Sequence, residues 1–399
     1  MSELAVDQSQ DQAVDNPADR PVSIAVAIII GVVGVAVFMV QPIYLGALAD
    51  HLFYTNEQLG LIAGVELSGS ALAGVAAFFW VSRWNWRVVG AVSLSFVFAG
   101  NMISAWIIDF QLMLIVRFLT GFLGLGTAFV LSVAAVSATT KLNRNFSFVI
   151  VAQVSIGILG LSLLPPYIET WGPKAVFLPL ALLGLLLLPT LGQLPRSRLK
   201  VEDVQKAGDE KFRSVGWLTL GSQWLLYLGI GGIWAFVERL GVDAGIENAA
   251  IGKALATGMA IGLAGAFIAA AVADRFGRIL PFTIAMALQI FAIWYLADIS
   301  GYDRYVLAVT IFNIGWNLAL PYLFGIAAIA DSRGRIVVLM PTAQATGLVA
   351  GSIIAGLVIG QFGLGAVLYQ GAIAILLVAV IYAVVASKID AQTRTPTDA

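Results

Sequence analysis

The sequence predicts an all-α integral membrane fold of twelve transmembrane helices in two six-helix, pseudo-symmetric bundles. Three observations predict it. Hydrophobic residues make up 60% of the 399-residue chain and charged residues only 11%, against about 25% charged in a soluble domain. Twelve apolar runs approach or exceed the ~20 residues that a helix needs to cross a bilayer. One long polar stretch, residues 195–215, separates the first six runs from the last six, as expected of a duplicated half.

The runs fall at 22–45, 58–81, 87–108, 111–135, 147–168 and 174–194, then at 216–238, 249–273, 279–298, 303–329, 336–361 and 364–386. This divides the chain into a tail (1–20), a first bundle (21–194), a central loop (195–215), a second bundle (216–387) and a second tail (388–399). The first tail carries Glu3, Asp7, Asp11, Asp15 and Asp19 against Arg20. It lacks the basic start of a secretory signal and reads as disordered.

Charge sets the orientation. With the N-terminus inside, seventeen of the 22 Lys and Arg residues fall in inner segments. Only Lys174, Arg239, Lys253 and Arg304 lie on the outer side, and Arg117 lies within a span. The positive-inside rule then places both termini in the cytoplasm of a multi-pass protein of the inner (cytoplasmic) membrane. Trp80, Trp84 and Trp86 cluster at an inner interface, a depth that suits indole rings.

Within the spans, Pro42 in the first, the pair Pro165–Pro166 in the fifth and Pro321 in the tenth mark kinks. Ser70, Ala73 and Gly74 in the second span, Gly262, Ala266 and Ala270 in the eighth, and Gly347, Gly351 and Ala355 in the eleventh form small-residue stripes that let helices approach closely. Charges inside the bilayer cost ~2.5–3.5 kcal/mol each, and two stand out. Glu66 lies in the second span and Arg117 in the fourth, both ~9–12 Å below the outer boundary. At one depth they offset each other's desolvation by pairing. Such a pair is either a static bridge or a proton-coupling pair in which Arg117 controls the charge of Glu66.

Several classes are excluded. A net charge of −1 gives no basic patch for nucleic acid. With no cysteine and one histidine, His51, the chain has no thiolate or multi-histidine metal site. No G-x-x-x-x-G-K-[ST] loop is present for ATP. No cofactor is implied, and no enzyme activity.

Two segments carry a resemblance. Asp274-Arg275-Phe276-Gly277-Arg278, between spans eight and nine, resembles the D-R-x-G-R loop signature of the major facilitator superfamily of secondary transporters. Arg117 and Gly121 resemble that superfamily's R-x-x-x-G motif in the fourth span. The equivalent loop after span two keeps Arg83 and Arg87 but has Ser82 and Asn85 in place of the acid and the glycine. Asp331, Gly334 and Arg335 after span ten make a shorter version. The resemblance implies two bundles around a central cavity, with Arg83, Arg87, Asp274, Arg275, Gly277, Arg278, Asp331 and Arg335 latching its cytoplasmic gate.

The same resemblance implies that spans 1, 4, 7 and 10 line the cavity, with help from 2, 5, 8 and 11. Carried onto this chain, that geometry puts forward Gln41, Tyr44, Arg117, Gln153, Tyr227, Trp234, Asn313, Trp316, Asn317 and Gln344 for solute binding, and Glu66 with Arg117 for proton coupling. The expectation is a monomeric secondary transporter, without nucleic acid partners, that moves a small organic solute by alternating access with protons. An organic anion or a polar aromatic compound suits such a lining. Drug efflux by proton antiport is the alternative, and an intramembrane enzyme or a channel the alternative from another class.

Overall fold

The computed structural model describes residues 16–196, 213–272, 275–330 and 335–394. Twelve of its helices are long and apolar enough to cross a membrane. The first span is two helices, α1 (Pro21–Met39) and α2 (Gln41–Leu52), broken at Val40, where Pro42 enters the first turn of α2. Proline lacks the N–H that a continuous helix would bond there, so the axis restarts. α3 (Asn56–Trp80) begins with a capping box between Thr55 and Gln58. α4 (Trp86–Ser104) is capped by Asn85, and α5 (Phe110–Leu119) by Asp109.

The fourth span continues from α5 through a π-helical stretch, Thr120–Gly126, into α6 (Thr127–Ser137). α7 (Leu142–Leu163) ends before Pro165, and the short α8 (Pro165–Trp171) and α9 (Lys174–Leu187) follow. The second half comprises α10 (Arg213–Asp243), α11 (Asn248–Val272), α12 (Ile279–Leu296), α13 (Tyr302–Ala330), α14 (Arg335–Phe362) and α15 (Ala366–Arg394).

The same pairings recur in the two halves. Spans one and five pack as α1 on α7, and seven and eleven as α10 on α14. Spans two and four pack as α3 on α5, eight and ten as α11 on α13. Spans three and six pack as α4 on α9, nine and twelve as α12 on α15. This repetition is the pseudo-symmetry that the six-and-six division predicts.

The halves meet along α3 and α14, α7 and α11, and α2 and α10. The closest of these contacts lie toward the face away from the termini, called here the far face. A Cβ on Gly60 would come 2.6 Å from Ser352 O and 2.8 Å from Gly356 Cα. Gly64 meets Ile353, Gly360 meets Glu57, and Gly252 meets Leu161 and Pro165. Only glycine allows backbones this close.

Several sequence expectations need correction. Asn16–Arg20 are not a free tail: Asn16 Nδ2 donates to Ala138 O (2.9 Å), and Asp19 accepts from Thr140 N (2.8 Å). Short polar side chains there find unpaired groups at the end of the fourth span. The last helix runs to Arg394, since no proline or glycine interrupts it before Pro396. Trp80 and Trp86 are buried, and only Trp84 is exposed, at 61%. The Trp86 Nε1 donates to Val81 O, which lets the ring enter the bundle. Gly74 has open space beside it, so the stripe of the second span is not a contact at that position.

Candidate functional site

The first cluster forms inside the first half. α3 and the π-helical stretch approach through glycines: a Cβ at Gly121 would overlap Glu66 O, and one at Gly69 would overlap Phe118 O. This brings Glu66 and Arg117 face to face. Arg117 Nη2 donates to Glu66 Oε1 (2.5 Å) and Arg117 Nε to Glu66 Oε2 (3.2 Å), a bidentate pair. Tyr44 Oη donates to Glu66 Oε2 (3.1 Å). Arg117 Nη1 donates to Asn101 Oδ1 (3.0 Å) and Ser104 Oγ (3.4 Å). The Phe177 ring covers the guanidinium at 4.9 Å.

Arg117 is 0% exposed and Glu66 5%. Five helices, α2, α3, α4, α5 and α9, each supply one side of this shell. A buried charge pair needs such complete hydrogen bonding to offset its desolvation. A π-helical stretch beginning three residues after Arg117, at Thr120, fits a common association of such turns with functional positions. Sequence reasoning missed Asn101, Ser104 and Phe177. The first two were legible as polar residues spaced i, i+3 on one face of an apolar span.

The second cluster lies in the second half. Tyr227 Oη accepts from Trp316 Nε1 (3.2 Å) and from Gln344 Nε2 (3.1 Å), joining α10, α13 and α14. The rings of Tyr227 and Trp316 are edge-on at 5.9 Å, and Trp234 lies edge-on to Trp316 at 6.5 Å. Trp234 Nε1 donates to Phe38 O of α1 (3.0 Å), so this cluster touches the first half. Tyr227 and Trp234 are buried, while Trp316, Asn317 and Gln344 are half-buried.

The remaining expected binding residues stand apart from both clusters. Asn313 Nδ2 donates to Val309 O and Asn317 Nδ2 to Asn313 O, back along their own helix. Asn313 also packs against Gly262. Gln153 Nε2 donates to Gly31 O (3.2 Å), tying α7 to α1. Gln41 is buried at the break between α1 and α2, and its Oε1 has no hydrogen-bond partner among the described residues.

A third group bridges the halves at the far face. Arg239 Nη1 and Nη2 donate to Asp50 Oδ1 (2.6 Å) and Oδ2 (3.0 Å), linking α10 to α2. Its Nε and Nη2 also donate to Glu238 Oε2 (2.6 Å) and Oε1 (2.7 Å). The Glu238 carboxylate lies against Gly46, where a Cβ would come 2.6 Å from it. The sequence showed Glu238 and Arg239 only as neighbours at a helix end. Their partner Asp50 is 189 positions away from Arg239, and no local pattern signals it.

Of the expected cytoplasmic latch, Asp274 and Asp331 lie outside the described residues, as does the side chain of Arg335. Gly277 adopts φ +69°, the left-handed turn expected of that glycine. Arg83 and Arg275 are exposed. Arg87 Nε donates to Leu194 O (2.7 Å), closing the end of the sixth span rather than bridging the halves. Arg278 begins α12.

With this architecture in view, solved structures provide the comparison. The crystal structure of a point mutant of the nucleoside transporter NupG superposes with a TM-score of 0.74 at 12% identity, covering 91% of this chain and 99% of that one. The D-xylose-proton symporter gives 0.71 at 16% identity, covering 90% and 96%. A bacterial homolog of the human lysosomal transporter Spinster, inward-facing and unoccupied, gives 0.65 at 15% identity, covering 92% and 95%. The chain has the major facilitator superfamily fold. No protein-family model and no curated protein sequence matches it.

Proposed function

We propose that this chain is a proton-coupled secondary transporter that moves a small organic solute by alternating access, as a monomer in the cytoplasmic membrane. The fold supports the general reading, since the proteins it superposes on are transporters, one of them a D-xylose-proton symporter. With both termini in the cytoplasm, as the charge distribution argues, the far face is extracellular. Its glycine-tight contacts and the Asp50–Arg239 bridge then form a closed extracellular side.

One observation carries the coupling: Glu66 and its partners sit at the junction of moving parts. Its carboxylate is held by Arg117 from within the first half and by Tyr44 from α2. Both α2 and α3 form contacts with the second half. The solute cluster reaches the same broken span from the other side, through Trp234 on the Phe38 carbonyl. A shift of α1 and α2 on solute binding changes the Tyr44–Glu66 distance. A proton taken up by the Glu66 carboxylate in turn frees one side of Arg117, which ties the proton to the same movement. Asp50, Arg239 and Glu238 act as the outer lock, which must part for the extracellular face to open.

Reconstitution tests this reading. Proteoliposomes with an imposed pH gradient should accumulate a transported solute. Glu66→Gln should abolish accumulation while solute exchange between equal pools persists. Accumulation that survives in Glu66→Gln refutes the coupling role, and absence of any saturable flux refutes the transporter.

A further inference from the structure

The two charged residues within the central spans are already used, and this constrains the solute. Arg117 spends its donors on Glu66, Asn101 and Ser104, lies under the Phe177 ring and is 0% exposed. The helices around the second cluster carry no other charge at its depth. Residues 214–237 of α10, 305–330 of α13 and 336–362 of α14 contain no Asp, Glu, Lys or Arg. The same holds for residues 21–49 of the first span and 145–168 around the fifth. Glu238 and Arg239 are committed to each other and to Asp50 at the far face. An ionised solute would therefore meet no counter-charge beside the second cluster, and a desolvated charge without a partner is strongly disfavoured.

The cluster instead supplies flat apolar surface and uncharged hydrogen-bonding groups. Half-buried Trp316 offers ring surface, backed by the buried ring of Trp234. The Tyr227 hydroxyl receives two N–H donors, from Trp316 and Gln344. Its own proton has no acceptor among the described residues, although Tyr227 is only 6% exposed. Half-buried Gln344 and Trp316 make the cluster reachable.

We propose that the solute bound at Tyr227, Trp316 and Gln344 is an uncharged, planar aromatic compound bearing a hydrogen-bond acceptor, and not an organic anion. The inference rests on the transporter reading and narrows its substrate class. Matched pairs of probes test it on the purified full chain: nicotinamide against nicotinate, and uracil against orotate, with xylose as the uncharged non-aromatic control. Binding is read by thermal shift and titration calorimetry at up to about 10 mM ligand.

The neutral member of at least one pair should bind about tenfold or more tightly than its carboxylate. Tyr227→Phe and Trp316→Leu should each weaken that binding about tenfold, with Trp217→Leu, an exposed residue nearer the start of α10, as the control that leaves it unchanged. Tighter binding of a carboxylate, binding of xylose without either aromatic, or no binding of any aromatic probe overturns the proposal. Counterflow of the bound probe in proteoliposomes separates the two readings. Neutral binding without counterflow leaves the ligand class standing and removes the transporter, whereas counterflow of a carboxylate alone does the reverse.

Discussion

The two halves solve the same burial problem in opposite ways. In the first, Glu66 and Arg117 place full charges inside the bundle and surround them with Tyr44, Asn101, Ser104 and Phe177. In the second, Tyr227, Trp234, Trp316 and Gln344 form a cluster that contains no charged side chain among the described residues. The pseudo-symmetric scaffold is shared, but its interior chemistry is not. One half thus buries a paired charge in a closed shell, and the other a neutral aromatic and amide cluster that is half-open.

Removing one charge is the most damaging way to probe this contrast. Arg117→Leu leaves Glu66 buried without its partner and should cost about 3–5 kcal/mol, read as a large fall in thermal stability in detergent. The double variant Glu66→Gln/Arg117→Leu should recover part of that loss, since no lone charge remains. If Arg117→Leu alone were as stable as the parent, the shell would not be carrying a buried ion pair.

Wedging the far face comes next. Gly60→Leu puts a side chain where Ser352 O and Gly356 leave no room. An overpacking cost of about 1–3 kcal/mol should shift the two faces' populations by about tenfold or more. The chain has no cysteine, so a single Ile353→Cys reports opening without background. Its labelling by a membrane-impermeant thiol reagent should rise in Gly60→Leu, and unchanged labelling would mean the glycine contact does not gate that face.

A smaller effect is expected at the bridge. Arg239→Gln removes the link to Asp50, a partly exposed pair worth about 1 kcal/mol or less. It should raise Ile353→Cys labelling a few-fold, and less than Gly60→Leu does. A larger effect than the glycine wedge would make the ion group, not the helix contact, the main lock.

A comparably small change in stability is expected of Tyr227→Phe. It deletes the hydroxyl that collects two N–H donors, at a cost of about 1 kcal/mol of stability, and should retain the proton coupling proposed for Glu66. Loss of proton coupling in this variant would mean that the two clusters are not separate sites.

Much of this was legible in the sequence because it follows from local rules. Span number and order come from apolar length, and the pairing of Glu66 with Arg117 from two charges at one depth. The Val40 break shows why a proline must be read with its position: Pro42 lies in the first turn of a new helix, where it is tolerated, instead of kinking one continuous span. The tryptophans near residue 84 show the limit of the interface rule. Trp86 satisfies its N–H within five residues, at Val81, and so needs no headgroup.

By itself, then, the sequence determined the twelve spans, the duplicated halves and the identity of the two interior charges, since bilayer thickness and desolvation act on residue type and spacing alone. Only the tertiary structure decided that Arg117 commits four of its five N–H donors to Glu66, Asn101 and Ser104, that Tyr227 gathers Trp316 and Gln344, and that Arg239 reaches back to Asp50. These depend on which faces of distant helices meet. That choice is made by glycine contacts such as Gly60 on Gly356 and Gly121 on Glu66, where backbone shape rather than hydrophobicity sets the register.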